Sequence, residues 1–161
     1  MMNTLYEMEE QAQQLLTPIA NSYYSSGARD ELTLRANREA WNQIWLHYRV
    51  LVDVENRSTI TTIMGQQVSS PVMIAPSAFH GLAHPEGEVA TARGAAQAGC
   101  IYVSSTLSNR SIEEIAQAST GPRWFQLYVY RNRDITLDLI SRAEQSGCSA
   151  LVITVDAAMI G

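Results

Sequence analysis

The chain has 161 residues, enough for one domain with its own core, and 46% hydrophobic against 17% charged residues excludes disorder as its default state. A formal charge of −5, from 11 basic and 16 acidic residues without a basic run, argues against nucleic acid or an anionic membrane as partner. The start, Met1 to Glu7, has neither a basic nor an apolar leader region, and no apolar run approaches the roughly 18 residues of a membrane span, so a cytoplasmic protein without a secretory signal is expected.

Leu5, Met8, Ala12, Leu15, Leu16 and Ile19 recur at helical spacing and predict a first helix, broken by Tyr23-Tyr24-Ser25-Ser26-Gly27-Ala28. A second helix is expected over Leu32 to Trp45, with Leu34, Ala40, Trp41, Ile44 and Trp45 on its buried side. Val50 to Val54 and Ile60 to Met64 read as short strands, and Gly65-Gln66-Gln67 as a turn. From Pro71 the pattern becomes regular. Val72 to Ala75 is an apolar strand, Glu88 to Ala98 a helix stopped by Gly99, and Ile101 to Ser105 the next strand. Ser111-Ile112-Glu113-Glu114 is a capping box that opens a helix ending near Ser119. Trp124 to Tyr128 is a third strand, and Asp134 to Gln145 a helix with Ile135, Leu139 and Ile140 inward. Ala150 to Val155 is a fourth strand.

Apolar strands alternating with amphipathic helices predict a parallel sheet covered by helices. The fold class is therefore α/β, with residues 71–161 forming four βα units and residues 1–70 an N-terminal segment of helices and short strands capping them. Four units are half of a closed (β/α)8 barrel, and an open half would leave two apolar strand edges. A second polypeptide, a longer parent chain or a second copy would complete it, and truncation is the preferred expectation. Cys100 and Cys148 each follow a glycine and lead into apolar runs, so both are expected as small buried residues in a reducing compartment.

Sites in parallel α/β folds lie beyond the C-terminal ends of the strands. Those ends are Pro76-Ser77-Ala78, Ser104-Ser105-Thr106, Gln126-Leu127-Tyr128 and Thr154-Val155-Asp156. Any one of these polar groups can simply satisfy a strand end; all four together suit a polar planar ligand. Asp156, directly after an apolar strand, needs a partner, either as a salt-bridge acid or as the orienter of a catalytic base. No Gly-rich dinucleotide loop is present, and His47, His80 and His84 lack metal-site spacing, with His80 and His84 expected in surface or loop-structural roles. The absence of lysine excludes a Schiff-base mechanism within the chain.

Five segments carry a resemblance. They are Tyr23-Tyr24-Ser25-Ser26-Gly27-Ala28 with Asp30-Glu31 and Thr33-Leu34; Ile74-Ala75-Pro76-Ser77-Ala78; His84-Pro85-Glu86-Gly87-Glu88 with Ala90-Thr91-Ala92-Arg93; Phe125-Gln126-Leu127-Tyr128-Val129-Tyr130; and Thr154-Val155-Asp156. In this order and spacing the chain resembles the N-terminal half of the FMN-dependent 2-hydroxy-acid oxidases and dehydrogenases, the glycolate oxidase and lactate oxidase group.

The resemblance implies FMN as cofactor, a small 2-hydroxy acid as substrate, a TIM barrel and a homotetramer. It implies that Pro76, Ser77 and Ala78 lie along the flavin, and that Ser105, Gln126 and Thr154 bond its polar edge. It implies that Tyr23 binds the substrate carboxylate, that Tyr128 contacts the substrate hydroxyl or the product carbonyl, and that Asp156 holds and charge-stabilises a catalytic histidine. That histidine, the carboxylate-binding arginines, a lysine and the phosphate segment belong to the family's second half, so the isolated chain is expected to be inactive. Two departures stand out: Ser77 replaces a usual Thr, and Leu107 replaces a usual Trp, which favours L-lactate over glycolate. The competing expectations are an inactive remnant serving as a binding or assembly partner, and a different FMN- or phosphate-binding barrel such as an isomerase, against which the Tyr23-Tyr24 segment argues.

Overall fold

The computed structural model of the protein describes residues 4–156; the tail 157–161, expected to follow the last strand without a covering helix, lies outside the described residues. Two compact units result, divided between Arg57 and Ser58. In the first, Thr4 and Glu7 form a capping box that opens α1 (Leu5–Leu15). The helix expected to run through Ile19 is in fact two helices. Pro18 has no N–H with which to continue α1, and Thr17 instead caps α2 (Pro18–Ser25), accepting from the Ala20 N–H at 3.3 Å. Tyr23 and Tyr24 therefore lie inside α2, and the break falls at Ser26.

The third helix, α3 (Leu32–Asn42), is shorter than expected and has no buried residue. Trp41 is 74% and Trp45 88% exposed, against the expected buried side, because the unit supplies no layer to cover that stripe. Val50 to Val54 is not a strand either: Leu51 is left-handed (φ 59°) and the run has no pairing partner among the described residues.

The second unit opens with a hairpin, β1 (Thr61–Ile63) paired antiparallel with β2 (Gln66–Val68). Its turn is Met64-Gly65, both at positive φ, the geometry that matches strand twist in a two-residue loop. Then comes a parallel sheet of β3 (Tyr102–Ser104), β4 (Arg123–Leu127) and β5 (Leu151–Ile153), in that order. The expected strand at 72–75 shrinks to one parallel bridge, in which the Ile74 N–H donates to the Ile101 carbonyl and Ile74's own carbonyl accepts from Val103. The crossovers are α4 (Glu88–Gln97), α5 (Ile112–Ala118) and α6 (Arg133–Gln145). Three strands and one bridged segment stand where four strands were expected.

Period-two alternation sorts the side chains. One face of the sheet carries Val103 and Trp124, packed with Ile101 and with Val68 of the hairpin. On the other face Tyr102 packs on Ala92, Ala95 and Ile115, and Phe125 and Leu127 pack on Ile112 and Ala143. Phe125 and Leu127 are each 1% exposed, and burying such side chains contributes about 1.5–3 kcal/mol apiece. Ile135, expected inward on α6, is exposed; Thr136 takes the inward position and its hydroxyl accepts from the Tyr130 N–H. The Ser111–Glu114 capping box forms as expected. Gly99 ends α4 at φ 66°, where a Cβ would also sit 2.9 Å from the Ser69 hydroxyl. Both cysteines are free thiols, Cys100 buried and Cys148 half-buried, and burial pushes the Cys148 thiol up despite the nearby Arg123.

At the N-terminal end of the sheet Arg123 spans two loops. It donates to the carbonyls of Ser119, of Gly121 (3.1 Å) and of Ser146 (3.0 Å). Arg142 of α6 holds Glu113 of α5 through two bonds of 2.8 and 2.9 Å. Among the described residues no helix is long and apolar enough to cross a membrane.

Candidate active site

Continuing the inward face of the sheet by two residues from Val103, Trp124 and Val152 reaches Ser105, Gln126 and Thr154. Hydrophobic side chains thus give way to a polar row at the strands' C-terminal ends. Gln126, only 3% exposed, sits at its centre. Its Oε1 accepts from the Ser105 hydroxyl at 3.3 Å and from the Thr106 N–H at 3.0 Å, while its Nε2 donates to Thr154 Oγ1 at 2.8 Å. Three strands expected to contribute to one site are tied side chain to side chain. The amide orientation follows from the Thr106 N–H, which can only donate, so the oxygen must face β3.

The row retains hydrogen-bonding capacity. One Nε2 proton and the Thr154 hydroxyl proton have no partner among the described residues. Beside it, Pro76 and Ser77 are exposed and Ala78 half-buried, and the N–H groups of Ser77 and Ala78 donate to no other described residue. Donors directed from strand ends, next to uncovered backbone N–H groups, fit the carbonyl and ring-nitrogen edge of a flavin.

Thr106 does more than its sequence position suggested. Its hydroxyl donates to the Gln126 carbonyl at 2.6 Å and accepts from the Tyr128 N–H at 3.1 Å, which seals the end of β4 and sets where Tyr128 begins. Tyr128 is half-buried at that end. Leu107 is 39% exposed; its N–H donates to the Ser105 hydroxyl at 3.1 Å, and its carbonyl accepts from the Phe79 N–H at 3.2 Å. Asp156 is exposed and makes no ion pair with a described residue. Tyr23 belongs to the first unit, on α2, edge-on to Tyr24 with ring centroids 5.2 Å apart.

The residue that sequence reasoning missed is Glu88. It is fully buried, and its carboxylate accepts three backbone N–H groups: His80 (3.1 Å) and Asn109 (3.0 Å) on Oε1, and Arg110 (3.2 Å) on Oε2. Burial, and then the charge of Glu88, push the Tyr102 phenol well above its ordinary range. His80 takes the loop role expected of it, its Nδ1 lying 2.9 Å from the Thr91 hydroxyl. No group of three or more metal-ligating side chains occurs among the described residues.

A parallel α/β sheet with a polar row and open backbone donors at its C-terminal ends is the arrangement on which the parallel α/β classes, open sheets and barrels alike, build their binding sites. Residues 12–161 match the family model of the FMN-dependent dehydrogenases, and the chain belongs to that family. FMN is the family's cofactor. Glycolate oxidase 3 of Oryza sativa subsp. indica is 46% identical over 155 residues, covering 96% of this chain and 42% of the relative. Glycolate oxidase of Spinacia oleracea gives the same identity and coverage, 46% over 155 residues and 42% of the relative. A Tyr-to-Phe variant of mandelate oxidase with (S)-mandelic acid superposes with a TM-score of 0.96 at 38% identity, covering 100% of this chain and 48% of that one. The chain thus spans less than half the length of the relatives it matches.

Proposed function

We propose that the chain supplies the flavin-edge half of an FMN-dependent oxidoreductase that converts a small (S)-2-hydroxy acid to the 2-oxo acid, with the remaining half of the barrel completing it. The observation that carries this reading is the Ser105–Gln126–Thr154 row, tied across three strands yet still holding donors to offer. Bound FMN supplies the electron acceptor for the substrate's Cα. Gln126 and Thr154 bond the flavin's polar edge with their remaining protons, and Ser105 holds the Gln126 amide in that pose. The backbone of Pro76, Ser77 and Ala78 lies along the ring. Tyr23 binds the substrate carboxylate, and Tyr128 donates a hydrogen bond from its phenol to the substrate hydroxyl or the product carbonyl without giving up its proton. Asp156, already at the strand end, orients and charge-stabilises a histidine of the other half, which takes the hydroxyl proton.

Leu107 sets the room beside Cα. An isobutyl group leaves an apolar surface that a methyl substituent can fill, so L-lactate is favoured over glycolate.

The test is anaerobic flavin reduction, followed by loss of the yellow colour. The chain with its C-terminal half and FMN bleaches on L-lactate, and the chain with FMN alone does not. Bleaching by the chain alone, or none by the assembled protein with any 2-hydroxy acid, refutes the reading.

A further inference from the structure

We propose that Glu88 is a positioning residue for the mouth of this site, its buried carboxylate holding the loop that carries Pro76–Ala78 at a fixed separation from the loop that carries Leu107. The inference rests on the function proposed above and deepens it.

A carboxylate that is fully buried must replace its water with hydrogen bonds. A glutamate in the first turn of a helix ordinarily finds its donors in that turn. Glu88 opens α4, yet its three donors lie elsewhere: His80 in the loop after the Ile74 segment, and Asn109 and Arg110 in the loop after β3. The carboxylate is therefore a bridge between two βα loops rather than a helix cap. Its donors Asn109 and His80 stand two residues from Leu107 on one loop and two from Ala78 on the other.

Other ties run between the same loops. The Phe79 N–H donates to the Leu107 carbonyl (3.2 Å), and the Gly81 N–H to Asn109 Oδ1 (2.8 Å). The Arg110 guanidinium donates to the Pro85 carbonyl at 2.7 Å. Phe79 itself is held left-handed at φ 58°, a conformation a non-glycine residue keeps only where its surroundings enforce it. The residues on either side of it are the anchored ones: Ala78 would lie on the flavin, and His80 is bonded to Glu88. Releasing the carboxylate would let Phe79 relax and shift Ala78 against Leu107.

The experiment uses the complete FMN-loaded protein carrying Glu88→Gln, Glu88→Asp or Asn109→Ala. Glu88→Gln turns an amide N–H toward the Arg110 or the Asn109 and His80 donors, so hydrogen exchange should accelerate at residues 79–82 and 107–110 while α4 stays protected. Flavin content should hold. With loops displaced on the order of 1 Å, kcat should fall roughly 10- to 100-fold, and the kcat/KM ratio of L-lactate to glycolate should drop several-fold. Glu88→Asp, which keeps the charge, should recover part of both. Asn109→Ala removes a parallel tie without touching the buried charge, so it gives the same pattern, weaker, even where Glu88→Gln fails to fold. A folded Glu88→Gln with unchanged kcat and substrate ratio overturns the inference, as does exchange that accelerates along α4 instead of the two loops. If the wild-type protein reduces no flavin with either acid, the function reading fails, and the exchange pattern still judges the clamp.

Discussion

Replacing Gln126 by Leu tests whether the polar row is a structural network as well as a ligand edge. Leucine nearly matches the shape of glutamine at a position only 3% exposed, so the packing survives and the loss is polar. The Thr106 N–H loses an acceptor at 3.0 Å and the Ser105 hydroxyl one at 3.3 Å, while half-buried Thr154 loses a donor at 2.8 Å and can turn to water. A buried donor left unsatisfied costs about 1–3 kcal/mol, and the longer Ser105 bond adds less than a typical net bond of about 1 kcal/mol. The net is about 2–3 kcal/mol of stability. With a urea slope of about 2 kcal/mol per molar, the unfolding midpoint followed by circular dichroism falls by about 1–1.5 M with the slope unchanged. Thr154→Val alone costs about 1 kcal/mol or less, and the double variant is less destabilised than the sum, since both changes remove one shared bond. A midpoint within about 0.3 M of wild type, or strict additivity of the pair, refutes the network.

Leu107→Trp should shrink or reverse the proposed preference for L-lactate over glycolate, expected at roughly 10-fold since one methylene in an apolar pocket is worth about 1–3 kcal/mol; an unchanged kcat/KM ratio shows that Leu107 does not line the pocket. Tyr128→Phe should slow turnover on the order of 10²-fold with FMN affinity retained; loss of FMN with a normal rate per bound flavin makes Tyr128 structural. The Arg142 guanidinium, bonded to Glu113, holds that carboxyl down at about 2. Because the folded value lies below the ordinary one of 4.5, its contribution is present above that pH and is lost as pH falls from there through about 2. The pair is partly exposed, so the effect stays at or below about 1 kcal/mol; Glu113→Gln should flatten the acid limb of a stability-versus-pH curve, and an identical limb in the variant removes the pair from the account.

What could be read from the sequence was what short-range chemistry decides. Ser111 and Glu114 announce their helix because both halves of a capping box lie within one turn, and Gly99 stops α4 through its own φ. The polar strand ends were legible because a parallel sheet brings them to one end, but the resemblance, not the spacing, singled out Ser105, Gln126 and Thr154 among them. The break at Thr17-Pro18 was written in the sequence as well, but the apolar spacing through Ile19 masked it. The buried side assigned to α3 and the strand assigned to Val50–Val54 failed for another reason: apolar spacing shows what can be buried and does not supply the surface that buries it. Glu88 was the least accessible. Its donors lie 8, 21 and 22 residues away, one at the start of a short 3-10 turn and two in the loop after β3, and nothing in its own helix marks it as their acceptor.

Arg123 implies a division of labour along the sheet. Its guanidinium gathers the loops before β4 and β5 at the end remote from the polar row, through bonds to backbone carbonyls. Carbonyl oxygens are the same in every residue, so the clamp reads the backbone path of those two loops rather than their side chains, except at Gly121, where a Cβ would sit 2.6 Å from the Ala96 Cβ. Side chains other than that of Gly121 can change there while the clamp persists, whereas each polar side chain of the row at the opposite end answers to a specific neighbour. The two ends of one strand, about four residues apart, are thus held by different means: the lower by main-chain carbonyls that most substitutions leave in place, the upper by side chains that a substitution removes.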